Sequence, residues 1–116
     1  VKLTTGQIPP SSLHPQPFDV AKEWAVCVTD EFFAQGDMER AGGLEVTPMC
    51  NREAQSRVGL QRGFIDFVAG PFFREVVRLL PRLGGLLEQL DRNRRAWDDC
   101  SDSDLLAGVA ALRRAR

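Results

Sequence analysis

Gln61 and Phe64 stand three residues apart in the stretch Leu60 to Phe73, LQRGFIDFVAGPFF, and are the pair best suited to hold a ligand. At helical spacing they share a face. A glutamine amide both donates and accepts hydrogen bonds, and a phenyl face stacks on a flat ring, a combination that grips a purine. The same spacing equally serves a capping or surface glutamine beside a core aromatic, so the residues alone leave both readings open. Other chemistry is sparse. The one histidine, His14, has no second imidazole with which to build a metal site or a triad. Asp30, Glu31, Asp37, Glu39 and Asp66 read as solvated helix faces or local caps. The pairs Gly42-Gly43 and Gly84-Gly85 lack the strand-turn-helix pattern of a phosphate loop and read as turns. Cys27, Cys50 and Cys100 form no CxxC pair and leave one over, which argues against a disulfide framework or a zinc knuckle and for a reducing, cytoplasmic setting.

The elements that must position Gln61 and Phe64 are helical. The chain has 116 residues, 43% of them hydrophobic and 27% charged, which suits one soluble globular domain with a modest core. A formal charge of -1 gives no field for nucleic acid or an anionic membrane, and Arg62, Asp66 and Arg74 interrupt the longest candidate span. Neither partner is expected. Residues 1–18 carry four of the seven prolines and no period, an irregular lead-in. From Asp19, placed to cap, Val20, Trp24, Val28 and Phe32 recur every four residues and predict an amphipathic helix ending near Gly36. A short turn and a loop follow over Asp37 to Glu53. Phe64, Val68, Phe72, Val76 and Leu80 predict a second long helix, bent where Gly70 and Pro71 interrupt it. Leu83, Leu86, Leu87 and Leu90 mark a third helix closed by Trp97, and Ser101 and Asp102 offer caps for a last one carrying Leu105, Leu106, Val109 and Leu112. No segment alternates like a strand. The expected architecture is all-α, a helical array.

Four motifs within Trp24 to Trp97 resemble the C-terminal part of the catalytic domain of class I 3′,5′-cyclic-nucleotide phosphodiesterases. DEFFAQGDMER at Asp30 to Arg40 is similar to the family's E-[FY]-[FY]-x-Q-[GS]-D-x-E. PMCNR at Pro48 to Arg52 resembles P-[LM]-C-D-R, with Asn51 in place of aspartate. LQRGFIDFV resembles S-Q-[IV]-G-F-I-D-[FY], with Leu60 and Arg62 as departures, and RNRRAW at Arg92 to Trp97 resembles N-R-x-x-W. The resemblance implies that residues 19–98 are part of a larger multi-helix catalytic domain, followed by a helical tail over 99–116. It implies that Gln61 hydrogen-bonds the purine of cAMP or cGMP, that Phe64 forms the aromatic side of a clamp, that Val28 forms its aliphatic wall, and that Phe32 and Met49 line the pocket.

Hydrolysis in the family resembles two-metal chemistry, with a pair of divalent ions of zinc and magnesium type held by histidines and aspartates. Those ligands, and the histidine acid, come from upstream helices. The nearest counterpart here is SSLHP, Ser11 to Pro15, with serine in the aspartate's place. A start at Val1 rather than methionine further suggests a piece of something longer. The expectation is a C-terminal fragment that carries the purine pocket, has no catalytic residue or metal ligand of its own, binds no metal alone, and is inactive by itself. Its partners would be the cyclic nucleotide and the missing N-terminal part of the domain, with a homodimer left open. Faces meant for upstream helices should then be exposed. The alternative is a non-catalytic α-helical interaction module.

Overall fold

The computed structural model describes residues 17–116, and His14 and the segment Ser11 to Pro15 lie outside them, as does all of the expected lead-in except Pro17 and Phe18. Among the described residues there are five α-helices and no strand: α1 (Phe18–Ala41), α2 (Arg57–Phe64), α3 (Gly70–Leu79), α4 (Gly84–Asp98) and α5 (Asp102–Arg114). Short 3-10 turns stand at Pro48–Cys50 and Pro81–Leu83. None of these helices is long and apolar enough to cross a membrane.

Helix α1 differs from its expected form at both ends. Pro17 is the N-cap and makes no side-chain cap, so Asp19 lies inside the first turn, where its charge favours the positive helix end without capping it. Nor does the helix stop at Gly36. It runs on to Ala41, because Gly36 is a crossing point rather than a terminus: a Cβ there would sit 2.0 Å from the carbonyl oxygen of Cys50. Termination falls to Gly42 and Gly43, the latter at φ 74°, with the Leu44 N–H donating to the Glu39 carbonyl at 2.9 Å.

The core is formed by Ala25 and Val26 of α1, Val58 of α2, Trp97 of α4, and Leu105 and Val109 of α5. Phe18 meets the Trp97 ring edge-on at 4.8 Å. The four-residue stripe of Val20, Trp24, Val28 and Phe32 is therefore not the buried side of α1. That side is Ala25, Val26, Thr29, Phe33 and Gly36, with small residues and a satisfied threonine at the close contacts. Trp24 is 57% exposed, and Phe64, Phe67, Val68, Phe72 and Leu79 are likewise uncovered, Phe67 by 83%. So many exposed large apolar side chains are unusual for a closed domain. The Cα radius of gyration, 16.1 Å, agrees, since a compact domain of this length would have about 13 Å.

The bend expected at Pro71 is a π-helical segment over Ile65–Ala69, in which the Gly70 N–H bonds the Ile65 carbonyl. Proline has no N–H and its ring crowds the carbonyl four residues back, and one wide turn absorbs that conflict without breaking the rod. Helix α5 begins as its sequence suggests: Ser101 and Asp104 form a reciprocal capping box.

Candidate functional site

The motifs that stand out in the sequence hold one another in place. The carboxylate of Asp37 on α1 takes two hydrogen bonds from Arg52, Nε to Oδ1 at 3.0 Å and Nη2 to Oδ2 at 2.7 Å. This guanidinium holds the Asp37 carboxyl below the usual carboxylate range. Glu39 accepts from the backbone and hydroxyl of Thr47 at 2.8 and 3.0 Å and from the Gln35 amide at 3.1 Å. Its carboxyl is lowered too, chiefly by the Thr47 N–H. Asn51 keeps the acceptor role: its Oδ1 takes Arg40 Nη2 at 2.9 Å and the Glu53 N–H at 3.0 Å. With Gly36 pressed on Cys50, these bonds fasten the 3-10 turn to the end of α1 and so fix Met49 relative to Phe32.

Helix α2 is fastened on both sides. Arg57 donates from Nη1 to Thr29 Oγ1 at 2.8 Å and to Asp30 Oδ1 at 2.7 Å, between Val28 and Phe32 in the sequence of α1. The Phe33 ring, itself buried, lies 5.2 Å from the Arg57 guanidinium and 5.3 Å from that of Arg52. The π segment that continues α2 is tied through Asp66, which accepts from Arg94 Nε at 2.8 Å and Nη2 at 3.1 Å, while Arg94 Nη1 reaches Asp98 at 2.6 Å. Arg94 lowers the Asp66 carboxyl, and the two carboxylates raise the guanidinium further. Arg62 is drawn outward to Asp98, 3.8 Å away. Four of the five expected carboxylates, Asp30, Asp37, Glu39 and Asp66, are thus bound between elements.

The five residues expected to bind a ligand fall on this frame as follows. Val28 is exposed on α1 and Phe32 is half-buried there, Met49 is exposed in the 3-10 turn, Gln61 is half-buried in the middle of α2, and Phe64 is its last residue, 55% exposed. Their elements pack together, but no hydrogen bond or ring pair joins the five side chains. The Gln61 amide hydrogen-bonds no other described residue, and the Phe64 ring has no aromatic partner. A separate shallow groove on α1, lined by Val20, Glu23, Trp24 and Cys27, contains none of them. Among the described residues no group of three or more His, Cys, Asp or Glu side chains is placed to hold a metal ion. The donor set therefore does not fit a divalent pair.

Two anchors had no signal in the sequence. Nothing in the spacing marks Arg57, and Asp102 reads as a cap for its own helix, whereas both bind across more than 25 residues of chain, Asp102 at the start of α2. Arg94 was visible as the arginine of the RNRRAW motif, but its carboxylate partners were not.

Residues 12–90 match the family described as 3′5′-cyclic nucleotide phosphodiesterase. The 3′,5′-cyclic-nucleotide phosphodiesterase regA of Dictyostelium discoideum is 33% identical over 99 residues, covering 78% of this chain and 12% of that protein. The 3′,5′-cyclic-AMP phosphodiesterase 4C of Mus musculus is 38% identical over 80 residues, 68% of this chain and 12% of the relative. The high affinity cGMP-specific 3′,5′-cyclic phosphodiesterase 9A of Homo sapiens is 36% identical over 74 residues, 64% and 12% respectively. Among solved structures, LmjPDEB1 in complex with IBMX is similar with a TM-score of 0.67 at 42% identity, over 72% of this chain and 26% of that one.

Proposed function

Because the chain belongs to the 3′5′-cyclic nucleotide phosphodiesterase family, we propose that it supplies the purine-binding wall of a cyclic-nucleotide site, for cAMP or cGMP. Gln61 and Phe64 grip the base, Val28 opposes the ring, and Phe32 and Met49 close the side. One observation carries this reading: on a helix held by neighbouring elements, the Gln61 amide bonds no other described residue and the Phe64 ring is 55% exposed. Side chains serving only to cap or to fill a core would be bonded or covered. The similar solved structure is a complex with IBMX, which supports giving this fold a small-molecule ligand.

Hydrolysis to the 5′-monophosphate belongs, on this proposal, to a longer assembly. The chain spans 12% of the curated relatives described above, and its described residues offer no metal donor set. The exposed Trp24, Phe67 and Phe72 are the residues on which the rest of a catalytic domain packs. These residues also suit the rival reading, a non-catalytic helical interaction module.

Titration of the isotope-labelled chain with cAMP and with cGMP, followed by NMR, separates the two. The purine reading expects shifts at the Gln61 side-chain amide and the Phe64 ring. Gln61→Ala should weaken binding by about 1–3 kcal/mol, as for an unmatched polar group, and Phe64→Ala by about 1–3 kcal/mol for lost stacking. Binding that is absent, or untouched by both substitutions, leaves the interaction module standing.

A further inference from the structure

Asp102 lies beyond the residues that match the family, yet its carboxylate bonds the helix that carries Gln61 and Phe64. Oδ2 accepts the Arg57 N–H at 2.8 Å and Oδ1 accepts the Val58 N–H at 3.0 Å. Ser56 Oγ takes the Gly59 N–H at 2.8 Å. The first three amides of α2, which no helical carbonyl can satisfy, are thus all engaged, two of them by a residue of another helix. Asp102 is also the first residue of α5, behind the Ser101 cap. Two positive helix ends therefore converge on one carboxylate, which relieves the repulsion between them.

We infer that Asp102 is a positioning residue for the purine site: it sets the orientation of α2 from α5 and thereby the direction in which Gln61 and Phe64 point. The inference rests on the purine reading given above. Three further contacts favour it. Val58, one of the two residues bonded by Asp102, is buried in the same core cluster as Leu105 and Val109 of α5, so the two helices share a core as well as a charged contact. Gln61 is one turn along from Arg57 and Val58, on the same side of the helix. Helix α2 opens a rod that runs on through the π segment into α3, and Asp102 holds the end at which that rod begins. A rotation at its start is carried directly to Gln61.

The test uses the whole 116-residue chain and reads amide hydrogen exchange together with cAMP and cGMP titrations, for wild type, Asp102→Ala and Asp102→Asn. Asp102→Ala should speed exchange at Arg57 and Val58 roughly tenfold relative to core amides of α4, because the cap is gone. It should weaken nucleotide binding by roughly two- to thirtyfold, measured below the melting transition. Asp102→Asn keeps one oxygen acceptor and should recover part of both effects. Unchanged exchange at Arg57 and Val58 would overturn the inference. So would a lower melting temperature with unchanged affinity of the folded chain, which is the mark of a merely structural role. If wild type itself shows no nucleotide-induced shift, the purine reading has failed, and the positioning role falls with it; failure in the variants alone strikes only Asp102.

Discussion

The carboxylates of Asp37 and Asp66 sit inside two of the shared motifs, and each faces an arginine of another element at two-point hydrogen-bond distance. Both are held below their ordinary value of 3.8, and Glu39 below its 4.5. A carboxylate with a lower pKa folded than unfolded contributes stability that is complete above the unfolded value and is lost as pH falls through the folded one. The chain should therefore lose stability on acidification from about pH 5 downward. Asp37→Asn with Asp66→Asn should be less stable at neutral pH and show a flatter fall with acid, measured by urea denaturation across that range. An equally steep fall in the double variant would assign the acid sensitivity to other groups. Gln61 and Phe64 belong to the opposite class, side chains with no hydrogen-bond or ring partner among the described residues. Sequence could distinguish the classes only through resemblance, because an aspartate at a helix end looks the same whether it faces water or an arginine 28 residues away.

At the level of elements, the crossing of α1 over the 3-10 turn depends on Gly36. A methyl there would meet the Cys50 backbone, which cannot swing aside as a side-chain tip can. Gly36→Ala should cost about 1–3 kcal/mol by overpacking, whereas Gly42→Ala, whose Cβ would find ordinary space, should change stability by less than about 0.5 kcal/mol. Thermal melts of both variants decide this. Equal effects would mean that the crossing can relax. The helices themselves were legible: α4 and α5 follow their leucine spacing and the Ser101 cap. The end of α1 was not, since a glycine that allows close packing and a glycine that ends a helix are the same letter. Nor was the buried side of α1. Its Val20, Trp24, Val28 and Phe32 stripe has the larger residues, but α5 packs against the small-residue side, where backbones approach. Pro71 announced an irregularity, and the sequence left open that a π turn rather than a break would accommodate it.

For the molecule as a whole, the uncovered face of α2, the π segment and α3 sets behaviour in solution. Phe67 and Phe72 are 83% and 59% exposed and lie on no core. The isolated chain should bind a hydrophobic dye and self-associate with rising concentration, and Phe67→Glu with Phe72→Glu should suppress both, read by dye fluorescence and sedimentation. A wild-type chain that stays monomeric and dark would count against an open face. Helix α5 bears on the molecule differently. It returns along α1, with Arg116 paired to Glu23 and Arg113 beside Cys27, so that Leu105 and Val109 close over Ala25 and Val26. Among the described helices, α1 is therefore completed by α5, which lies farthest from it in the chain. Until α5 has been made, the inner side of α1 stays as bare as its outer one, so burial of α1 waits on a contact about 80 residues downstream and the nascent segment is a natural client for chaperones.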